Sequence, residues 1–523
     1  MIFRSVHADL PIPETSLTPF VLQKAERLGD KPALIEGTSG RRLTYQQLSD
    51  SIRRAAVGLA RRGLRKGDVL AIYSPNLPEY AIAFHAVASL GGINTTVNPL
   101  YTADELAFQL NDAGAKYLLT VPQLLDKSLA AAGRSQVQEV FVIGQAEGAT
   151  SFDELLGDEG EMPEVKIDPR HDLVALPYSS GTTGLPKGVM LTHYNLVANL
   201  LQTEQLKLCA GDDTSLCVLP MFHIYGLSVI LNLGLYTGAT VVTMPRFDLE
   251  QFLRIVQDYK VTLLPIVPPI ALALAKHPIV DNYDLSSIKI TFSGAAPLGA
   301  EVSRACAERL NCLFRQGYGM TETSPVTHAS PLEPDKIKLG SVGQCAPNTE
   351  CRIVDLESGA ELDANQEGEM HVRGPQVMKG YLNRPEATAQ TLTADGWLRT
   401  GDIGYADADG HFYIVDRAKE LIKYKGFQVA PAELEAVLLT HPSVADAAVI
   451  PCPDEAAGEV PKAFVVFKAG EAIEAETLIN FVAERLAPYK KIRRLEVIDQ
   501  IPKSASGKIL RRVLVERERE RKK

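Results

Sequence analysis

Tyr178-Ser179-Ser180-Gly181-Thr182-Thr183-Gly184-Leu185-Pro186-Lys187-Gly188 packs hydroxyl residues and three glycines around one lysine. A loop of that composition wraps backbone N–H groups, hydroxyls and an ammonium around a polyphosphate. Upstream, Leu173 to Tyr178 reads as a strand; downstream, His193 to Leu201 reads as a helix, so the loop is expected between the two. It is not the Gly-x4-Gly-Lys-Ser/Thr loop of common nucleotide triphosphatases, because Pro186 and Gly188 break that spacing. The stretch therefore predicts phosphate binding without ordinary phosphoryl-transfer chemistry.

Working outward, short apolar runs alternate with amphipathic helices over most of the 523 residues, the pattern of crossover units on a largely parallel sheet. Strands are expected at Asp68–Tyr73, Lys116–Val121, Ala239–Met244, Val261–Pro265 and Ile288–Phe292. Helices are expected at Glu79–Leu90, Thr102–Ala113, Leu249–Tyr259 and Ala300–Leu310. From about residue 340 shorter strands and turns take over, predicting a β-rich lobe over 340–416. A second boundary near Asp416–Lys423 precedes a compact α+β unit of about 100 residues. The fold class is thus α/β: a large domain over 1–416 with layered α/β subdomains and the lobe, and a small C-terminal domain over 417–523. The closing segment from Arg511 reads as a solvated helix.

The bulk composition narrows the classes. A chain of this length exceeds one core. A net charge of −10 argues against nucleic-acid binding. Seven cysteines with no Cys-x-x-Cys pair read as reduced, packed thiols of a cytoplasmic protein. The N-terminus lacks an apolar signal core, and Glu520-Arg-Lys-Lys523 is not a peroxisomal address. Residues 216–244 carry no Asp, Glu, Lys or Arg, long enough to span a bilayer. Pro220, His223, Asn232 and Thr237-Gly238 divide that stretch into strand, loop, helix and strand, so no membrane span is expected.

Further loops share the character of the first. Ser293-Gly294-Ala295-Ala296-Pro297-Leu298-Gly299 follows a strand and offers bare backbone to a flat ligand or phosphate. Gln316-Gly317-Tyr318-Gly319-Met320-Thr321-Glu322-Thr323 supplies an aromatic face between glycines, a hydroxyl, and a carboxylate suited to Mg²⁺. Trp397 to Gly404 places Asp402 where a ribose diol can be gripped. Two basic loops flank the small domain: Arg417, Lys419, Lys423, Lys425 and Gln428 on one side, Lys508 on the other. Such loops are commonly solvated surface; flanking a domain able to fold over a nucleotide, they read as ligand groups.

These motifs, with Pro220-Met-Phe-His-Ile-Tyr-Gly226 and Pro502-Lys-Ser-Ala-Ser-Gly-Lys508, occur in one order over nearly the whole chain. In that order the chain resembles the adenylate-forming acyl-CoA synthetases, a superfamily that also holds firefly-type luciferases and nonribosomal-peptide adenylation domains. Over Glu420–Glu435 it is most similar to the 4-coumarate–CoA ligases and their bacterial relatives. The resemblance implies ATP, Mg²⁺ and CoA as partners of a carboxylic acid. It implies that Lys508 bridges the acid and the α-phosphate, that Ser179, Ser180, Gly181, Thr182, Thr183, Gly184 and Lys187 hold the β and γ phosphates, and that Glu322 serves the metal. Thr321 would contact the α-phosphate, Ala295 and Tyr318 the adenine, and Asp402 and Arg417 the ribose, with Gln316 and Gly317 also binding the nucleotide.

For the second step the resemblance implies a swing of the small domain about Lys419, bringing Lys423 and Gln428 to the nucleotide. Arg246, Lys425 and Gly426 match positions that touch CoA, and His223 orients the carboxylate. The acyl pocket would be lined by His223, Tyr225, Gly294, Gly319, Pro325 and Val326. Phe222-His223-Ile224-Tyr225 carries no Asp to pair with an amino acid's ammonium. Hydroxycinnamates or related aryl acids are the expected substrates, medium- and long-chain fatty acids the alternative. A luciferase-like oxidase and a non-catalytic nucleotide-binding protein on the same scaffold remain the readings from other classes.

Overall fold

The computed structural model describes all residues except Asp158, 180–185, Gly426, Glu455, Ala456, Ser506 and 522–523. Among the described residues, two nine-stranded sheets form the body of the large domain. The first runs Tyr178–Ser179, Lys187–Thr192, Leu173–Ala175, Ile93–Thr96, Val69–Ile72, Ala115–Thr120, Glu139–Val142, Thr150–Ser151, with Gly380–Tyr381 paired onto Lys187–Thr192. The second runs Gln344–Cys345, Val326–Ala329, Leu313–Gly319, Ile290–Ser293, Leu263–Ile266, Thr214–Cys217, Thr240–Thr243, Pro32–Glu36, Arg42–Thr44. Their central strands are parallel, as the alternating pattern predicts.

Helix Pro78–Ser89 is apolar on every side and buried along its length, which suits a helix enclosed by other elements rather than one facing water. It shares one large apolar cluster with helices Tyr45–Arg61 and His193–Gln205 and with strands of both sheets. Helix starts follow side-chain chemistry: Thr44 with Gln47, Thr102 with Glu105 and Thr192 with Asn195 each form reciprocal caps. Residues 216–244 divide as the sequence divides them, into strand, loop, a π-helical and α-helical run over 225–237, and strand Thr240–Thr243. No helix of the described residues is long and apolar enough to cross a membrane.

Three expectations need correction. The loop of Tyr178–Gly188 does not run from strand directly to helix: Tyr178–Ser179 pairs antiparallel with Gly188–Lys187, and strand Lys187–Thr192 precedes the helix. Alternation of inward Val189 and Leu191 with Met190 supports that strand. Gln316–Gly319 and Leu398–Gly404 are not loops after strands but the strands themselves, Leu313–Gly319 and Leu398–Ala406. The closing helix Arg511–Glu520 is docked, with Leu514 buried and Arg511 ion-paired to Glu420 and Glu435. Its charge run hides one apolar contact and a buried cation, so composition alone reads as solvated.

The β-rich lobe is an antiparallel sheet of Glu350–Val354, Gly368–Arg373, Leu398–Ala406 and Phe412–Arg417, completed by Ile2–Arg4 from the other end of the chain. Beyond it a fourth sheet pairs Phe427–Val429, Ile422–Tyr424, Gly458–Phe467 and Val444–Asp454, with Arg494–Val497 parallel to Gly458–Phe467. Helices Pro431–Thr440 and Ala475–Ala483 close over its own apolar cluster. The seven cysteines are all reduced thiols, six of them buried.

Candidate active site

Parallel strands Ile290–Ser293 and Leu313–Gly319 end side by side, Ser293 opposite Gln316, where open α/β sheets bind ligands. Gln316 donates its amide to the Leu298 carbonyl and to Ser303, fixing the loop that carries Gly294 and Ala295. Ala295 holds a left-handed backbone, φ +72°. Gly319 faces Val326 across a tight antiparallel pair; a Cβ there would lie 1.9 Å from the Pro325 carbonyl, so only glycine fits. Gly294 lies against the Tyr225 ring, a Cβ being 3.3 Å from its edge. The Tyr225 hydroxyl donates to the Phe292 carbonyl (3.0 Å), which locks the ring in place. Tyr225, Gly294, Gly319, Pro325 and Val326 thus line neighbouring strand ends.

Three further groups meet where the second nine-stranded sheet approaches the lobe. Asp402 and Arg417 are register partners, with Arg417 Nε donating to Asp402 Oδ1 at 2.8 Å. The Tyr318 hydroxyl donates to the other oxygen at 2.5 Å. Asp402 raises the Arg417 pKa, and burial with Asp402 close by raises that of Tyr318, so both stay protonated. The Asp402 carboxylate is therefore aimed from both sides, leaving further lone pairs for a diol.

Glu322, buried in the turn Thr321–Thr323, accepts hydrogen bonds at Oε1 from Ser179 Oγ (3.0 Å) and from the Tyr381 hydroxyl (2.8 Å). Lys187 places its ammonium 4.2 Å from the centroid of the Tyr381 ring. Among the described residues no His/Cys/Asp/Glu cluster could cage a metal. A single carboxylate beside hydroxyls does fit Mg²⁺, which keeps waters and takes substrate phosphate oxygens. Ser180, Gly181, Thr182, Thr183 and Gly184, read as phosphate contacts, and Gly426, read as a CoA contact, lie outside the described residues.

Lys508 arrives from the C-terminal domain. Gly507, at φ +80°, turns the chain against Val267 and Pro269 of the large domain; a Cβ would come within 3.0 Å of Val267. Lys508 is exposed to solvent, yet protein crowds its ammonium. That crowding lowers its pKa, with Arg417 repelling the charge and Asp402, Glu322 and Glu420 attracting it. His223 lies near enough to feel Lys508: burial first, then the lysine's charge, lower the imidazole pKa to about 3. Its Nδ1 accepts from the Tyr225 N–H, so the neutral ring offers Nε2–H as donor.

The structure thus gathers Lys508, His223, Glu322, Asp402 and Arg417 into one cleft. It does not bring Lys423, Gln428 or Lys425 there. Lys423 and Gln428 are cross-strand neighbours with exposed side chains; the Lys423 and Lys425 N–H groups bond Glu459 and the Ala457 carbonyl in their own domain. Arg246 and Lys419 are exposed on turns. Sequence reasoning missed Tyr381, whose only local signal is the Gly-Tyr before Asn383-Arg-Pro385. It also missed Lys276, which donates to the Leu439 carbonyl at 2.6 Å across the domain boundary.

Comparison with known proteins gives the family. Residues 21–382 match the family described as AMP-binding enzyme, and 433–508 its C-terminal domain. The chain belongs to the AMP-binding enzyme family. It is 47% identical to 4-coumarate--CoA ligase 2 of Petroselinum crispum, over 98% of this chain and 96% of that one. An anthranilate CoA ligase in complex with anthranoyl-AMP superposes with a TM-score of 0.90 at 26% identity, covering 97% and 98% of the two chains. The o-succinylbenzoate CoA synthetase of Bacillus subtilis in complex with its acyl-adenylate gives 0.82 at 33% identity, covering 96% and 98%.

Proposed function

We propose that this family member is an ATP-dependent acid–CoA ligase, acting on 4-coumarate or a related aryl acid. A carboxylate is a poor acyl donor, because its charge repels nucleophiles and oxide is a hopeless leaving group. Its attack on the α-phosphate of ATP forms a P–O bond, expels pyrophosphate and gives an acyl-AMP. A thiol then adds to that carbonyl and AMP leaves, giving the thioester.

The observation that carries the reading is the meeting of Lys508 with His223, Glu322, Asp402 and Arg417 in one cleft between two domains. Asp402 and Arg417 hold the ribose, and Tyr318 and Ala295 frame the adenine. Ser179, Lys187 and the residues between hold the departing pyrophosphate, with Glu322 in reach of a Mg²⁺ that offsets phosphate charge. Lys508 bridges the acid and the α-phosphate; Thr321 contacts the latter. Neutral His223 donates to the carboxylate without competing for negative charge. Lys423, Gln428, Lys425 and Arg246 serve thioester formation, which requires the C-terminal domain to turn about Lys419. The aryl preference is supported by the 47% identity to coumarate ligases and by the Tyr225 ring, held against Gly294 at the end of the sheet.

A panel of cinnamates, benzoates and fatty acids tests this, with ATP and Mg²⁺, with and without CoA, reading pyrophosphate and thioester. Aryl acids are expected to give acid-dependent pyrophosphate exchange without CoA and thioester with it. Fatty acids outperforming every aryl acid overturn the substrate assignment; no exchange with any acid overturns the ligase reading.

A further inference from the structure

Tyr381 lies far in sequence from the motifs that mark the site, yet it touches two of them. Its hydroxyl donates to Glu322 Oε1 at 2.8 Å, the same oxygen that accepts from Ser179. Its ring carries the Lys187 ammonium, centroid distance 4.2 Å. Its backbone is paired with Val189, and Leu382 donates to the Gly188 carbonyl, so the segment is stitched to the strand that leaves the phosphate loop.

The neighbourhood is braced from the other side. Asp112 accepts from the Tyr178 hydroxyl at 2.8 Å and pairs with Arg384 at 2.9 Å. One carboxylate therefore ties the stem of the loop to the segment bearing Tyr381.

We propose that Tyr381 is a positioning residue of the phosphate end, resting on the reading that Glu322 serves Mg²⁺ and Lys187 serves the phosphates. The hydroxyl orders Glu322 so that its carboxylate meets a metal–phosphate complex without reorganising. The ring holds the Lys187 ammonium at its π face, keeping that cation in place before the nucleotide binds. The two jobs reside in different atoms of one side chain, so they separate by substitution.

The test is equilibrium dialysis of labelled ATP, with Mg²⁺ and with EDTA, on the full-length protein and its Tyr381→Phe and Tyr381→Leu variants. It is read beside acyl transfer from preformed acyl-adenylate to CoA. Tyr381→Phe is expected to weaken MgATP binding about tenfold, the worth of a hydrogen bond to a charged group, while ATP binding in EDTA and acyl transfer stay near wild type. Tyr381→Leu is expected to weaken ATP in EDTA as well, since Lys187 loses its platform. Unchanged MgATP binding by Tyr381→Phe overturns the role. Equal losses in both binding conditions and in acyl transfer also overturn it, indicating a merely structural residue. A wild-type protein that binds MgATP but adenylates no acid contradicts the ligase reading alone, and the dialysis still decides Tyr381.

Discussion

His223 carries a testable charge state. Protein around the ring and the nearby Lys508 charge hold its pKa at about 3, so it is neutral throughout the working range. In ¹⁵N-labelled free protein its imidazole should show neutral shifts at pH 5.5 with no titration near 6.5; a midpoint near 6.5 would contradict the enclosed cleft. The motif Met221-Phe-His-Ile-Tyr225 made this residue legible from sequence. Tyr381 was not, because its meaning lies in contacts to Glu322 and Lys187, and neither distance is written in local composition. Gly319 is a middle case. Its motif marks it, but only geometry says that a side chain would strike the Pro325 carbonyl. Gly319→Ala should cost about 3 kcal/mol of stability and be detected as a fall in the large domain's unfolding midpoint.

The helices and central parallel strands were legible because periodicity and caps report them directly. Helix Ala300–Leu310 and helix Leu249–Asp258 fall where apolar spacing puts them. The strand Lys187–Thr192 was not legible: it is short, follows a Gly-rich loop and is completed by a partner far along the chain, Gly380–Tyr381. The same holds for Ile2–Arg4, which finds its partner about 350 residues away, at Glu350–Arg352. Helix Arg511–Glu520 misled because its charges look solvated, whereas Arg511 is held by Glu420 (2.7 Å) and by both oxygens of Glu435 (2.8 Å). Replacing one member of a buried pair leaves the other unpaired, so Arg511→Met should destabilise the C-terminal domain by about 3 kcal/mol. Burial already raises the Glu435 pKa to about 7, against the pull of Arg511 and with Asp416 adding repulsion. Without the arginine it rises further, so the loss should be greater at pH 8 than at pH 6, where protonation relieves it. An equal loss at both, by denaturant melts, would contradict the pairing.

Taken as one molecule, the large domain buries His85, His193 and His328 and encloses the half-buried His223, with pKa values lowered to about 4, 4, 3 and 3 respectively, desolvation by surrounding protein being the main cause in each. Unfolded, each binds a proton near pH 6.5, so the unfolded state holds more protons below that value. Stability should therefore fall as pH drops from 7 toward 5, by about 1–2 kcal/mol per histidine. Glu435 acts in the opposite sense, but in the other domain, so the large-domain transition is the one to follow; a midpoint flat from pH 7 to 5 would contradict the neutral core.

The α/β body, the lobe and the small domain were readable because composition changes at their borders. Their arrangement was not, because contacts such as Lys276 to the Leu439 carbonyl join surfaces with no sequence relation. That arrangement delivers Lys508 to the cleft, and the chemistry divides on it. The decisive measurement compares two half-reactions in wild type and Lys508→Ala: acid-dependent pyrophosphate exchange, and CoA acylation by preformed acyl-adenylate. Exchange should fall about 100-fold or more while acylation is largely spared. Equal loss of both, or exchange at the wild-type rate, would contradict the role given to Lys508.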